Sequence, residues 1–375
     1  MPLCYAPWAN LDISPTGVIS PCCKFQTKKY QQQFQIQQHS IEQYNTSDFV
    51  ESLKQEMLKD QWPVGCERCK IEEKNNIPSK RQLDYQRWQE HYDKYNFDQP
   101  SFVTASIAFG NTCNLKCITC GPASSSRWQK EHHDIIGIDI LSFKFYKKDF
   151  VETFLENTPN IVHIDIPGGE PFLSGIPEQK LLLQKYIEAG KANQISLHYT
   201  TNATVYPDDS WWELWKHFKE IDLQISIDGI ENRFEYIRYP GNWVELVDHV
   251  QQYINKEKQL DNFRISVSHT VSAYNIFYID EFFNWCYNIG LPKPWLGRVH
   301  KPEHMRPTVW PTEARKFIAE KLYTSSHEDV RIWAQLMSDN DDSDLFEMFI
   351  ARTKQHDVYR GLDFSLVFPE LVKFL

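Results

Sequence analysis

Three closely spaced cysteines are the residues in this sequence best suited to chemistry. Cys113, Cys117 and Cys120 follow an apolar segment and lie between the turn-forming pairs Gly110-Asn111 and Gly121-Pro122. Offsets of four and three residues also fit one buried helix face, so three core cysteines are the structural alternative. The flanking turn residues favour a loop, where packing gives no reason for three thiols. Thiolates in a loop bind soft metals or iron–sulfur clusters.

A set of three thiolates leaves part of a metal site open. Structural zinc normally takes four protein ligands. Iron–sulfur proteins without a substrate role commonly use four cysteines. Three cysteines would hold three irons of a cubane and leave the fourth iron for another ligand, so the triplet predicts an open coordination position.

Glycine-rich or polar segments end three later strands of the predicted fold. In a β/α barrel, the carboxyl ends of the strands face the mouth where ligands bind. Each segment alone is also typical of an ordinary β-to-α turn, a helix cap or an Asx-turn. The segments contain Gly168, Gly169 and Glu170, then Thr201 and Asn202, then Ser226 and Asp228. Arg238 and His269 are placed to reach the same mouth, but a surface arginine and a buried histidine are the favoured interpretations.

The C-x3-C-x2-C triplet after the first strand of a β/α unit, with Gly168-Gly169-Glu170-Pro171 downstream, resembles the radical S-adenosylmethionine (SAM) enzymes. The resemblance implies that the triplet holds a 4Fe–4S cluster whose open iron chelates SAM. It also implies reductive cleavage of SAM to a 5′-deoxyadenosyl radical that abstracts hydrogen from a substrate. One departure from the family pattern is Thr119, where an aromatic residue is usual. The residues it assigns to SAM are Gly168, Gly169, Glu170, Thr201, Asn202, Ser226 and Asp228.

A second group of cysteines lies near the N-terminus, at Cys4, Cys22, Cys66 and Cys69. Four thiolates suit either zinc or an iron–sulfur cluster. The pattern from Cys4 through Gly17 to Cys22, with a later C-x2-C pair, resembles twitch and SPASM auxiliary-cluster domains, which usually follow the barrel. That resemblance implies a second 4Fe–4S cluster, active in electron transfer. Cys23 is the alternative to Cys22 as a ligand.

Composition excludes several classes of protein. The chain has 375 residues, of which 41% are hydrophobic and 14% aromatic, which is typical of a globular protein rather than a disordered one. A formal charge of −10 is opposite to that of duplex nucleic-acid binders. No apolar stretch approaches the roughly 18 residues that cross a bilayer, and no export signal opens the chain. We therefore expect a cytoplasmic protein, with no membrane or nucleic-acid partner.

The remaining chain predicts an α/β fold, a partial (β/α)6 TIM-like barrel with a small cysteine-rich region before it and a helical extension after it. The expected regions are residues 1–95, 96–300 and 301–375. The predicted strands are Phe102–Phe109, Ile161–Ile166, Ile195–Thr200, Asp222–Ile227, Phe263–Val271 and Pro294–Val299. The predicted helices are Asp48–Lys59, Lys147–Asn157, Gln179–Ala189, Ser210–Phe218, Trp243–Glu257, Ile279–Asn288, Glu313–Tyr323 and Asp329–Met337. The acidic stretch from Asp339 to Glu347 is interpreted as a solvated face or loop.

The resemblance implies an oxidoreductase-type radical SAM enzyme served by a low-potential electron donor such as flavodoxin or ferredoxin. Many relatives with auxiliary clusters oxidise or crosslink peptide or protein side chains, so we expect a peptide or protein substrate. A small alcohol or sugar-like substrate is the second interpretation. A zinc-stapled scaffold without catalysis is the third.

Overall fold

The computed structural model describes residues 3–74, 78–97, 100–137 and 149–375. Packing divides the chain into two compact units. The first comprises Met1–Thr112, Ser142–Tyr199 and Pro207–Ile221, and the second comprises Cys113–Leu141, Thr200–Tyr206 and Asp222–Leu375. The predicted division into regions 1–95, 96–300 and 301–375 stays a prediction.

The strands alternate with helices along most of the chain. They are β1 Asn10–Ile13, β2 Val18–Ser20, β3 Phe34–Gln35, β4 Thr104–Ile107, β5 His163–Ile166, β6 Ser196–Thr201, β7 Glu220–Ser226, β8 Phe263–Val271 and β9 Trp295–Arg298. Strand β6 lies chiefly in the first unit and β7 chiefly in the second.

The helices before β7 are α1 Ala6–Ala9, α2 Ile41–Asn45, α3 Asp48–Leu58, α4 Glu67–Lys74, α5 Lys80–Arg87, α6 Gln89–Tyr92, α7 Trp128–Ile136, α8 Phe150–Asn157, α9 Ile176–Glu188 and α10 Asp209–Trp215. Those after β7 are α11 Glu231–Ile237, α12 Trp243–Gln259, α13 Ile279–Ile289, α14 Thr312–Tyr323, α15 Glu328–Asp339, α16 Phe346–Arg360 and α17 Phe364–Val367.

In the first unit the strands are hydrogen-bonded in the order β3-β2-β1-β4-β5-β6. Strands β1, β4, β5 and β6 run parallel, whereas β2 pairs with β1 and with β3 in antiparallel fashion. The N-terminal cysteine-bearing segment therefore adds three strands beside β4. One face of this sheet is apolar and fully buried, with Leu11, Ala105, Ile164 and Leu197 at its centre.

In the second unit the order is β7-β8-β9, with β8 and β9 parallel. Strand β8 alternates buried and partly exposed residues along its whole length, as a strand covered by helices on one side does. The helices that follow β9 form the C-terminal part of this unit, and they pack an aromatic cluster around Trp310, Phe349 and Phe364.

The predicted α/β class, with six strand–helix repeats from β4 to β9 and a helical C-terminal part, is confirmed. Each predicted strand overlaps an observed one. The predicted helices are likewise present, although Lys147 and Lys148 of one of them lie outside the described residues. The alternation of apolar and polar residues was strong enough to place these elements, because tertiary packing buries the same faces that the pattern marks.

The acidic stretch from Asp339 to Glu347 was predicted to be a solvated face or loop. Residues 340–345 connect α15 to α16, and four of the five acidic side chains are exposed, whereas Asp342 is half-buried. Asp342 accepts ion pairs from Arg298 at 3.1 Å and from Arg306 at 2.9 Å. Asp341 pairs with Arg315 at 2.6 Å. These ion pairs join the connection after α15 to β9, to the segment after β9 and to α14, where the three arginines lie.

Among the described residues, no helix combines the length and the apolar character that spanning a bilayer requires.

Candidate functional site

The cysteine triplet lies in a loop, as its flanking turn residues predicted, and the helical alternative is wrong. Backbone hydrogen bonds hold this loop in the second unit. The Lys116 N–H donates to the Tyr239 carbonyl at 2.7 Å, and the Ile118 N–H donates to the Ile237 carbonyl at 2.7 Å. The segment after α11 therefore fixes the loop from one side.

The three thiols have distinct surroundings. Cys113 Sγ accepts from the Leu115 N–H at 3.4 Å and from Asn202 Nδ2 at 3.7 Å. Cys117 is buried, whereas Cys120 is exposed. The Cys120 thiol donates to Cys117, which lowers the pKa of Cys117 and raises that of Cys120. The loop thus favours the thiolate at Cys117, the form that metal ligation requires.

A buried ion pair lies beside the triplet. Arg238 Nη2 contacts Asp228 Oδ2 at 2.8 Å, and the Asp228 side chain is fully buried. The other carboxylate oxygen of Asp228 accepts from the Thr270 N–H at 2.7 Å. The positive charge of Arg238 lowers the pKa of Cys117 and also acts on Cys120. Arg238 was predicted to be a surface residue, and this prediction is wrong because the buried carboxylate needs a partner.

His269 was predicted to be a buried core histidine, and it is buried. Its Nδ1 lies 2.9 Å from the Ile227 carbonyl, and its ring stacks on Phe282. Burial lowers the pKa of His269 to about 4, so the ring is neutral near pH 7.

The predicted polar residues at the ends of β6 and β7 have local partners. Thr201 Oγ1 accepts from the Ala203 N–H at 3.0 Å, and Asn202 Oδ1 accepts from the Thr204 N–H at 2.8 Å. Asn202 also donates to Asn114 Oδ1 at 2.9 Å. Ser226 is the last residue of β7 and is partly exposed. Asn202 therefore supports the cysteine loop through both Cys113 and Asn114, and contact of these residues with SAM stays a prediction.

The paired-glycine turn belongs to the first unit and packs against the backbone that precedes Cys113. Gly168 has φ +147°, a conformation that residues with a Cβ rarely adopt. The Glu170 N–H donates to the Thr112 carbonyl at 2.8 Å, and the Glu170 side chain is buried. This close backbone approach explains why the turn needs two glycines.

Gly169→Ala is expected to lower the free energy of unfolding by about 1–3 kcal/mol, the cost of forcing an extra methyl into a packed site. The new Cβ would collide with the Thr112 carbonyl oxygen, a backbone atom that cannot move aside. Urea denaturation monitored by fluorescence measures the change. Gly121→Ala is the matched control, because a Cβ there meets no atom within 4 Å. Equal stability of the two variants would contradict the close packing of Gly169.

A buried charge network ties the cysteine loop to the C-terminal helix α16. Glu131 of α7 is fully buried and accepts from Lys116 Nζ at 2.6 Å, from His356 at 2.8 Å and from Arg360 Nε at 2.8 Å. Arg360 also donates to the Lys116 carbonyl at 2.9 Å. The sequence pattern gave no sign of this network, because it joins Lys116 and Glu131 to residues more than 200 positions later in the chain.

Two further hydrogen bonds, one from α7 and one from the segment just before it, hold the same loop. Trp128 Nε1 donates to the Cys117 carbonyl at 3.0 Å, and Ser125 Oγ donates to the Leu115 carbonyl at 2.5 Å. The guanidinium of Arg360 lies 4.9 Å from the centre of the Trp128 ring. The backbone of the triplet is therefore held by side chains from α7 and α16.

A second set of predicted ligands comes together in the first unit. A small pocket is lined by all four N-terminal cysteines, Cys4, Cys22, Cys66 and Cys69. Cys23 is exposed and does not line it. Within the described ranges, no three His, Cys, Asp or Glu side chains lie close enough to share one metal ion. The four thiols therefore surround the pocket without converging on a single point.

The surroundings of these four cysteines combine burial with nearby cations. Burial raises the pKa of Cys4 and of Cys66 to about 12. Lys80 and Arg81, at the start of α5, also line the pocket. Metal binding needs thiolates, so ligation here would release protons, and the two cations would offset the negative charge that results.

Comparison with known proteins gives matches among solved structures only. No family model and no curated protein matches this chain. A structure of native anSMEcpe with bound AdoMet and Kp18Cys peptide aligns at 15% identity with a TM-score of 0.43, covering 59% of this chain and 60% of that chain. The chain thus spans about three fifths of the length of that protein.

Two other structures align at similar levels. Streptococcus suis SuiB bound to S-adenosylmethionine has 16% identity and a TM-score of 0.40, covering 79% of this chain and 63% of that one. TYW1 with a lysine-pyruvate adduct has 15% identity and a TM-score of 0.33, with coverage of 61% and 76%. These structural neighbours are radical SAM enzymes. All three TM-scores lie below 0.5.

Proposed function

We propose that this protein is a radical SAM enzyme. The observation that carries the proposal is the C-x3-C-x2-C triplet in a rigidly held loop directly after the first strand of a six-repeat β/α fold. Three soft ligands on such a loop suit a cluster with one open iron. The chemistry expected of that cluster is reductive cleavage of SAM and abstraction of hydrogen from a substrate carbon by the resulting 5′-deoxyadenosyl radical.

The protein's own part in this reaction is to hold ligands and to compensate charge. Cys113, Cys117 and Cys120 would hold the cluster. Arg238 supplies a buried positive charge beside two of these sulfurs, and Asp228 fixes the guanidinium in place. The close-packed turn of Gly168 and Gly169 would present backbone groups to SAM. Roles for Glu170, Thr201, Asn202, Ser226 and Asp228 in SAM binding are part of the same proposal.

The four-cysteine pocket would hold a second 4Fe–4S cluster as an auxiliary centre for electron transfer. The residues around the pocket support this proposal, because four thiols and the cationic side chains of Lys80 and Arg81 line it. Full ligation by protein leaves no open iron, which suits electron transfer better than binding of substrate. Zinc is the alternative occupant, and a zinc-stapled scaffold is the corresponding alternative function.

The decisive experiment uses protein reconstituted with iron and sulfide without oxygen. We expect about eight irons and about eight sulfides per chain, for two cubane clusters. With SAM and dithionite, the protein should form 5′-deoxyadenosine. One zinc per chain, no sulfide and no 5′-deoxyadenosine would contradict the proposal and favour the scaffold.

Cys22→Ala and Cys69→Ala should each lower the iron content by up to about four atoms per chain while uncoupled cleavage of SAM continues. Cys22 and Cys69 line the pocket, and Cys23 does not. Cys23→Ala is therefore the matched control and should retain all the iron. Iron and sulfide assays with analysis of 5′-deoxyadenosine measure these outcomes. Loss of iron from Cys23→Ala but not from Cys22→Ala would show that Cys23 is the ligand.

The substrate proposed from the family resemblance is a peptide or protein side chain that is oxidised or crosslinked. A small alcohol or sugar-like substrate is the second candidate. A low-potential protein such as flavodoxin or ferredoxin is the proposed electron donor. The cytoplasm is the proposed location.

A further inference from the structure

The first turn of α7 is attached directly to the cysteine loop. Besides the hydrogen bonds from Ser125 and Trp128, Arg127 Nε donates to the Asn114 carbonyl at 3.1 Å. Asn114 directly follows Cys113 in the chain. Arg127 is therefore connected to a proposed cluster ligand through one hydrogen bond and the adjoining peptide, and a molecule that docks on this turn lies close to the triplet.

The surface around this turn is open to solvent. Cys120 is exposed, and so are Ala123 and Ser124 in the connection to α7. Small side chains project little from the backbone, so a second molecule can approach that backbone closely. The loop therefore offers an open approach to one of its own sulfurs.

The charge of this surface is opposite to that of the chain as a whole. The chain carries a formal charge of −10, whereas residues 101–130 contain no Asp or Glu and three cations, Lys116, Arg127 and Lys130. Lys116 is paired with Glu131 at 2.6 Å. Arg127 and Lys130 are exposed, and within the ranges that the structure describes neither forms an ion pair with a carboxylate. Two positive charges are thus left uncompensated beside the triplet.

Arg127 and Lys130 project from the same side of α7. Residues three apart on a helix are neighbours on its surface. The buried residues of this helix, Trp128 and Glu131, face the protein instead. Asp134, the exposed acid of α7, accepts a hydrogen bond from α16. The two cations therefore form a positive patch that meets either solvent or a partner.

The size and sign of this patch select the partner. A positively charged surface favours an acidic partner and guides its approach. Two cations are few for a nucleic acid, whose binding commonly involves about six to ten phosphate contacts. Electron-transfer complexes between proteins, in contrast, are among the smallest interfaces, below about 1,200 Å². An acidic protein that carries electrons fits a small patch beside a cluster.

We propose that Arg127 and Lys130, with the exposed residues Cys120, Ala123 and Ser124, form the docking surface for an acidic one-electron carrier protein. We call these five residues the basic surface. In the complex the carrier is oxidised by one electron and the cluster at the triplet is reduced by one, and no bond forms or breaks in this step. The role of the partner as an electron carrier rests on the proposed function, whereas the binding of an acidic protein does not.

The first test measures the binding of carriers to the anaerobically reconstituted protein by isothermal titration calorimetry. The probes are an acidic flavodoxin and an acidic ferredoxin. We expect at least one of them to bind, and we expect this binding to weaken as the salt concentration rises from about 0.05 M to about 0.5 M. Lys130→Glu should weaken it about fivefold or more, because an attractive charge becomes a repulsive one.

Lys258→Glu is the matched control. Lys258 is an exposed lysine of α12 in the same unit, and the substitution reverses the same charge. This variant should bind the carrier as the unaltered protein does. Arg127→Glu should also weaken binding, and its iron content reports whether the loop survives the loss of the hydrogen bond to Asn114.

The formation of 5′-deoxyadenosine separates docking from catalysis. Dithionite is a small reductant that needs no docking surface, so Lys130→Glu should lose more of the rate obtained with the reduced carrier than of the rate obtained with dithionite. The proposal is overturned if neither carrier binds, if Lys130→Glu weakens binding no more than Lys258→Glu does, or if single-stranded RNA binds in a Lys130-dependent manner and the carriers do not. Carrier binding that depends on Lys130, without any 5′-deoxyadenosine from dithionite, would defeat the proposed function alone.

Discussion

Replacing Cys113, Cys117 and Cys120 together with alanine should abolish the formation of 5′-deoxyadenosine from SAM. The triplet provides the three thiols proposed to hold that cluster, and alanine cannot ligate a metal. Loss of one cluster should lower the iron content from about eight to about four atoms per chain. Chromatography of the nucleoside products and an iron assay on the same sample measure the two effects.

The four N-terminal cysteines are untouched in that variant, so the remaining iron reports that the first unit is folded. Cys286→Ala is the matched control, because Cys286 is a buried thiol on α13, away from both cysteine sets in sequence. It should retain both clusters and full cleavage of SAM. Undiminished 5′-deoxyadenosine from the triple variant would refute the assignment of the triplet.

Glu131→Ala should lower the free energy of unfolding by about 3–5 kcal/mol, the usual cost of removing one partner from a buried ion pair. The change leaves Lys116, His356 and Arg360 without their shared carboxylate. Because Arg360 also holds the Lys116 carbonyl, we further expect poorer retention of iron at the triplet. Urea denaturation and iron analysis after gel filtration measure these effects.

Asp134→Ala tests whether the burial of Glu131 is the cause of the large loss of stability expected for Glu131→Ala. Asp134 lies one turn further along α7 and also contacts α16, where it accepts from the Tyr359 hydroxyl at 3.0 Å. It is exposed, so its loss should cost less than about 1 kcal/mol. Similar losses in the two variants would contradict the special role of Glu131.

The same network has a defined pH dependence. Burial alone would raise the pKa of Glu131, but hydrogen bonds from His356, Arg360 and Lys116 hold it at about 2. A carboxyl group whose pKa is lower in the folded state stabilises the protein above its unfolded pKa of about 4.3. That stabilisation is lost as the pH falls from there toward 2, and it is absent from Glu131→Ala at every pH.

Most of the β/α repeat could be predicted from the sequence, because strands such as Phe263–Val271 alternate buried and exposed residues without interruption. The loop of the triplet could also be predicted, since Gly110 and Gly121 mark its ends. Strands β1, β2 and β3 were not predicted, because each has four residues or fewer and the pairing of β1 with β4 is a tertiary event.

Charged contacts were the hardest features to predict. The contact of Glu131 with Arg360 joins segments 229 residues apart. The pair of Asp228 and Arg238 is close in sequence, but no local pattern marks a charge that will be buried. A line of polar residues in register across five strands, Ser20, Asp12, Ser106, Asp165 and His198, is a related case. Asp12 and Asp165 look like ordinary surface residues in their own strands, and only the register of five strands shows that they lie in one line.

The parallel pairing of β1 with β4 has a consequence for how the protein is handled. Amide and carbonyl groups along Thr104–Ile107 find their partners in Asn10–Ile13 on that side. A shortened version that starts after Phe34 would expose these groups beside apolar Ala105 and Ile107. An exposed apolar strand edge of this kind promotes association between molecules. The N-terminal segment that carries Cys4 and Cys22 thus also protects the sheet from aggregation.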